Sequence, residues 1–246
     1  MKPPLFSVEI MKKLVSIILV LSILLITACS YKEKHGGFAK MDFGHQKDKP
    51  VTWLVILEDD ETKVLLSEQI LDVRKYNEKD EKLDWEKTTL HEYLNTDFVN
   101  EYFTSDEKEK MVFTNDMDDD LVTMLSINNL LDLYGDDDAS NIYYVKDGYY
   151  GDKDFFEANQ SIVAKPAELA LYNEIDVFDN ETFAEIMRTE VDKRYDFANG
   201  CAAYWILNQV DDTISNAFLV TATGYIGNAE ADTDYIGIRP IIRIRK

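Results

Sequence analysis

The chain has 246 residues, 46% of them hydrophobic, which is ordinary for a protein with a real core and enough for one large domain or two small ones. Its 47 acidic residues outnumber 26 basic ones for a formal charge of −21. That field repels phosphate backbones and anionic lipid, so it argues against a nucleic-acid partner and against a domain lying flat on a membrane.

The first 28 residues hold three basic groups and one acidic group, leaving about −23 on the residues after Ala28. A solvated surface kept soluble by self-repulsion accounts for that charge, with a cation-binding face as the sharper alternative.

From Met11 the order is Lys12 and Lys13, an apolar run from Leu14 to Ile26, then Thr27, Ala28 and Cys29. This is the three-part layout of a signal peptide: a positive end that stays in the cytosol, an apolar helix that enters the bilayer, and small residues at the cut. The order Ile26-Thr27-Ala28-Cys29 resembles a bacterial lipobox, in which the cysteine sulfur receives a diacylglyceryl group. Residues 1–28 are therefore expected to be a lipoprotein signal peptide, with Met11 a candidate start. Cys29 is expected to be the lipidation site, anchored in the bilayer on the outward-facing side of a bacterial membrane. An uncleaved anchor is the competing reading, but the run is short against the roughly 20 residues that span a bilayer.

Residues 29–50 contain Gly36, Gly37 and Gly44, many lysines and no apolar period, and read as a flexible tether. His35 and His45 lie there without carboxylate or thiol partners and read as solvated. Residues 51–246 read as one globular domain.

Val51–Leu57 and Lys63–Ser67 flank the acidic turn Glu58–Glu61, a β-hairpin signal. After Trp85, Thr88 or Thr89 can cap a helix with Leu90, Tyr93, Leu94 and Phe98 on one face; His91 falls on the neighbouring, exposed face. Thr104 and Glu107 form a reciprocal capping pair for a second helix, with Met111 and Val112 as its apolar residues. Leu121–Leu125 suits a buried strand, and Ser126 caps a helix carrying Leu130, Leu131 and Leu133 that ends at Gly135. Asp136–Asn159 is acidic and tyrosine-rich and reads as a long loop.

Pro166 fits a first helical turn before Ala167–Tyr172. Asn180–Lys193 is predicted as an amphipathic helix with Phe183, Ile186, Met187 and Val191 as its buried stripe. Ala202–Leu207, Ala217–Thr223 and Ile236–Ile244 read as strands, separated by turns at Asp211-Asp212 and at Gly224–Asp234. Cys201, in an apolar run beside Ala202, Ala203 and Tyr204, reads as a buried small hydrophobe. The implied fold class is α+β, with short antiparallel sheets, two or more flanking helices and long loops.

The stretch from Trp85 to Asn95, with Phe98 and Phe103 after it, resembles an uncharacterised family of bacterial surface lipoprotein domains. Its core reads approximately W-x-x-S-T-L-R-x-W-L-N. Asp120–Ser126, Ala164-Lys165-Pro166 with Ala170, and the closing Gly237-Ile238-Arg239-Pro240 agree with it. The resemblance runs from about Trp53 to Ile244. It implies structural roles for Trp85, Asn95, Gly237, Arg239 and Pro240. More distantly, the chain is similar to C-type-lectin-like and formylglycine-generating-enzyme-like folds. It departs from the family's pattern at His91, Tyr93 and Leu207, where arginine, tryptophan and arginine are usual. Cys201 stands alone where the enzyme relatives have a copper-binding pair, so their catalysis is not carried over.

Two constellations invite chemistry. Asp116, Asp118 and Asp120, and separately Asp136 and Asp138, offer oxygen ligands of the kind calcium takes. Neither completes an EF-hand: Leu121 and Ile127 replace the glycine and the bidentate glutamate of the first, and Asn141 replaces the glycine of the second. No cofactor is expected, with calcium the one ion to test and solvated loop acid the plainer account.

Tyr143, Tyr144, Tyr149, Tyr150, Tyr204, Trp205 and Tyr225 offer aromatic area with polar tips, suited to a glycan or a protein. Core packing is the competing account for Tyr204 and Trp205. Arg239, between apolar neighbours, is expected to be buried and paired with a carboxylate, with Pro240 at an edge or bulge.

No phosphate loop, paired metal spacing or serine elbow is present. The expectation is a membrane-anchored, non-enzymatic domain that binds carbohydrate or protein. The alternatives are an envelope-acting hydrolase with paired carboxylates and a structural envelope component.

Overall fold

The computed structural model describes residues 37–79, 82–114, 120–134, 160–191, 193–209 and 215–246. Phe38–Lys246 forms one compact α+β unit. Strands β1 (Ala39–Gln46), β2 (Lys49–Glu58) and β3 (Thr62–Ser67) run as an antiparallel meander. Strand β4 (Asp72–Val73) follows. Helices α1 (Thr89–Tyr93) and α2 (Val99–Tyr102) are joined through a π turn at Leu94–Phe98. Then come α3 (Ser105–Lys108), β5 (Met111–Val112), β6 (Val122–Met124) and α4 (Ile127–Tyr134). After α5 (Glu168–Tyr172) and α6 (Asn180–Met187) the chain closes with β7 (Tyr204–Gln209), β8 (Asn216–Val220), β9 (Ile226–Glu230), β10 (Gly237–Ile238) and β11 (Pro240–Arg245).

One sheet has the order β1-β2-β3-β11-β5, with β6 also paired to β11; the other has the order β4-β10-β7-β8-β9. Period-two alternation sends the two faces of a strand to different apolar clusters. In β2, Trp53 joins one cluster and Leu54 the other; in β11, Ile242 and Ile244 part from Ile241 in the same way. Strand β7 repeats the pattern, with Trp205 on one side and Tyr204 and Ile206 on the other. The first cluster is completed by Leu90, Leu94 and Phe98, the face that the helical spacing after Trp85 predicts.

Strand β1 corrects the tether reading, because the chain is already paired at Ala39. Its bulge between Asp42 and His45 centres on Gly44 at φ +71°, where a Cβ would lie 2.6 Å from the Phe103 ring. The Gly44 amide donates to Glu107 Oε1 at 2.9 Å, while the other oxygen of Glu107 closes the capping box with Thr104. That one carboxylate ties β1 to α3. Met111 and Val112 belong to β5, since α3 ends at Lys108.

Three further expectations are corrected. Helix α6 stops at Met187, where Arg188 turns left-handed at φ 54°, and its buried residues are Asn180 and Ala184. Phe183, Ile186, Met187 and Val191 are instead 39%, 72%, 56% and 49% exposed. The Gly224–Asp234 stretch contains β9, paired along its length to β8. Finally, Ile236–Ile244 is two strands: β10 lies in one sheet, β11 in the other, and the chain crosses between them at Arg239. Pro240 opens β11, the first-residue position a strand tolerates, and is buried between sheets rather than at an edge.

Candidate functional site

Polar side chains gather at three places. The first is Asp72, 1% exposed, where β4 meets α1 and α5. Its Oδ1 accepts from the Val73 amide at 2.8 Å and the Asn173 amide at 2.6 Å; its Oδ2 accepts from Arg74 Nε and the Tyr93 hydroxyl, each at 3.0 Å. Four donors satisfy a buried carboxylate. Arg74 Cζ lies 4.1 Å from the centre of the Tyr93 ring, so the guanidinium stacks on the aromatic face that holds its own counter-ion. Burial pushes the Tyr93 phenol above its ordinary range, and the Asp72 charge adds to that shift. Nearby, Gln46 donates to Leu71 O and Tyr102 Oη, and burial pushes the Tyr102 phenol up as well.

The second place is the pairing of His91 with Asp120. His91 Nε2 is 2.7 Å from Asp120 Oδ1, and Trp85 Nε1 donates to Asp120 Oδ2 at 3.3 Å. The Trp85 and His91 rings meet edge-on at 5.2 Å. His91 therefore turns inward rather than to solvent, which corrects that expectation, and Asp120 is a buried partner of two ring nitrogens. Asn95, in the π turn, takes the amides of Leu121 and Val122 on Oδ1 and gives Nδ2 to Val122 O, acting as a short extra strand beside β6. A carboxylate-held imidazole is half of a general-base arrangement. Among the described residues, no serine, threonine or cysteine side chain hydrogen-bonds its ring.

The third is Arg239, 1% exposed. Its Nε donates to Ser67 O at 2.9 Å and its Nη1 to Ser161 O at 2.8 Å, with Ile162 O at 3.4 Å and Tyr204 Oη at 3.3 Å. The expected carboxylate partner is replaced by carbonyls, one at the end of β3 and two in the turn Gln160–Ile162.

Tyr204 and Trp205 are core residues with no exposed surface, which removes them from any open aromatic patch. The Tyr204 hydroxyl donates to Ile162 O, and Trp205 Nε1 donates to Arg74 O. Tyr225 is half-buried against the second apolar cluster. Trp85 is half-buried between Tyr76 and His91. Cys201 is buried, and burial pushes its thiol up, as for an inert small hydrophobe. Cys29, Tyr143, Tyr144, Tyr149, Tyr150, Asp116, Asp118, Asp136 and Asp138 lie outside the described residues. Among the described residues, no three His, Cys, Asp or Glu side chains converge as metal ligands, and no helix is long and apolar enough to cross a membrane.

The surface carries one feature that the sequence placed inside. On α6, Phe183, Ile186 and Met187 stand at i, i+3 and i+4 on a single outward strip, with Phe183 5.5 Å from Phe178 and 6.4 Å from Tyr195. Glu181 and Glu185 are exposed on the same helix, about half a turn round from the strip.

Residues 60–129 match a family described as a domain of unknown function, DUF6273. The matched stretch spans the β2–β3 turn through the start of α4, so it contains both Asp72 and the His91–Asp120 pair. No curated protein and no solved structure matches the chain.

Proposed function

We propose that this chain is an outward-facing bacterial lipoprotein, anchored through acylated Cys29, whose domain docks a protein partner on α6 without catalysing a reaction. The observation that carries the docking reading is the outward apolar strip of Phe183, Ile186 and Met187. An amphipathic helix normally turns such residues inward. Here the inward positions hold Asn180 and Ala184, too small and too polar to drive burial. Exposed apolar side chains edged by polar ones mark interaction surfaces.

The acidic charge of the chain favours the partner: a segment pairing apolar anchors with Lys or Arg fits, whereas anionic lipid is repelled. Protein is favoured over carbohydrate because Tyr204 and Trp205 are enclosed in the core. A lectin-like origin of the fold would favour sugar, and an aromatic platform on the surface would be its mark.

The test uses the chain from Ser30 to Lys246, which retains Phe38–Lys246 and both apolar clusters. A fluorescent amphipathic Lys/Leu peptide should bind saturably in anisotropy, and Ile186→Ser with Met187→Ser should abolish binding while circular dichroism stays unchanged. Binding that survives the double substitution refutes the reading. So does a dimer in sedimentation that the double variant dissolves, since that gives the strip to a second copy.

A further inference from the structure

Arg74 combines a fixed guanidinium with a half-exposed side chain. Its backbone is pinned on both sides: the amide donates to Ile236 O at 3.3 Å, and the carbonyl accepts from Trp205 Nε1 at 2.8 Å. Its side chain is pinned twice more, by Nε on Asp72 and by the Tyr93 ring beneath it. Yet the side chain is 45% exposed. Arginine has five N–H donors, and a guanidinium that serves only to neutralise a carboxylate commonly uses its fork, two parallel bonds to two oxygens. Here Asp72 takes Nε alone, because the Val73 amide, Asn173 and Tyr93 occupy its remaining positions. Beyond Asp72 and the neighbouring Tyr93 side chain, the Nη1/Nη2 edge meets no further partner among the described residues.

We propose that this edge is a binding point for a carboxylate group on an external ligand. The planar fork matches the two oxygens of a carboxylate. Asp72 and the acidic chain disfavour a phosphate dianion more than a carboxylate monoanion, since each further negative charge meets the same field. Preorganisation adds to the case: the rotamer entropy a free arginine loses on binding is already spent on Asp72 and Tyr93.

The other arginines that bond elsewhere in the sheets do not share the arrangement. Arg239 is enclosed among carbonyls, and Arg243 turns to Thr62 and Asp59. The site is separate from the α6 strip, so its ligand is independent of the partner proposed for that helix.

The test is titration of the arginine-15N-labelled chain from Ser30 to Lys246 with sodium acetate, replacing sodium chloride at constant ionic strength. The Arg74 Nε resonance should move saturably while that of Arg188, exposed and without a fixing carboxylate, moves little. Arg74→Lys keeps the charge and loses the fork, and should weaken acetate about tenfold; Arg74→Gln should abolish binding.

An Arg74 response no larger than that of Arg188, or equal affinity in Arg74→Lys, overturns the site. Inorganic phosphate binding more tightly than acetate overturns the ligand class. Should the substitutions unfold the chain, the comparison of Arg74 with Arg188 in the unaltered protein decides alone.

Discussion

Replacing Arg239 with Met tests whether the crossing between the sheets is held by one guanidinium. Met keeps the apolar stem and removes the donors. Two short bonds are lost, to Ser67 O at 2.9 Å and Ser161 O at 2.8 Å, with two longer contacts to Ile162 O and Tyr204 Oη. Each carbonyl left unpaired in the interior costs about 1–3 kcal/mol, so the loss should be about 3–5 kcal/mol. That is a large part of the roughly 5–15 kcal/mol that holds a domain together.

Arg239→Lys can reach one carbonyl and not both, and should lose about half as much. Urea denaturation of the chain from Ser30 gives both values, with an unchanged slope because the folded compactness is retained. A loss below about 1 kcal/mol for Met, or equal losses for Met and Lys, would refute the idea that carbonyl satisfaction is what Arg239 supplies.

Three other outcomes follow from the structure. Gly237→Ala places a Cβ 2.2 Å from Ile70 Cγ2 and 2.9 Å from Ile175 Cδ1, and should destabilise by about 1–3 kcal/mol in the same urea assay. Asp59 in the β2–β3 turn is held down to about 2 by the amides of Glu61 and Thr62 and the Thr62 hydroxyl. Its folded value is depressed, so its contribution is complete above the ordinary aspartate range near 4 and fades as pH falls toward about 2; amide resonances of Glu61 and Thr62 should follow that window, and Asp59→Asn should remove it.

Burial raises the phenols of Tyr76, Tyr93 and Tyr102, so they favour the folded chain below pH about 10 and oppose it as pH rises past that value. Ultraviolet titration should show them ionising only with alkaline unfolding. A smooth titration of all tyrosines near their ordinary value would refute their enclosure.

Local signals in the sequence were readable where the structure that uses them is local. The hairpin around Asp59, the Thr88 cap and the Thr104–Glu107 box each depend on residues within a few positions, and the structure realises all three. What the sequence hid is set by pairing between distant residues. Strand β1 alternates Ala39, Met41 and Phe43 with Lys40 and Asp42, but that short period is set among lysines and glycines that give the stretch a tether's composition; Phe103 and Glu107, far along the chain, make the bulge worth forming. The stretch from Ile236 to Ile244 is mostly apolar, broken only by Arg239 and Arg243, and no periodicity reveals that Gly237 and Ile242 belong to different sheets.

The candidate site was hidden for the same reason, with consequences for how acidic residues are read. Asp72 lies between apolar neighbours and carries no cluster signal, yet it binds Val73, Arg74, Tyr93 and Asn173. Asp120 belongs to an acidic run and resembles a calcium ligand, yet His91 and Trp85 claim its oxygens. In a chain with 47 acidic residues, counting carboxylates selects the solvated majority. An isolated acid beside an arginine within an apolar stretch is more informative, because burying such a charge demands donors that only a built site provides. By that criterion Asp72 and Arg74 outrank every acidic cluster, and the acetate titration distinguishes a recognition site from a purely structural ion pair.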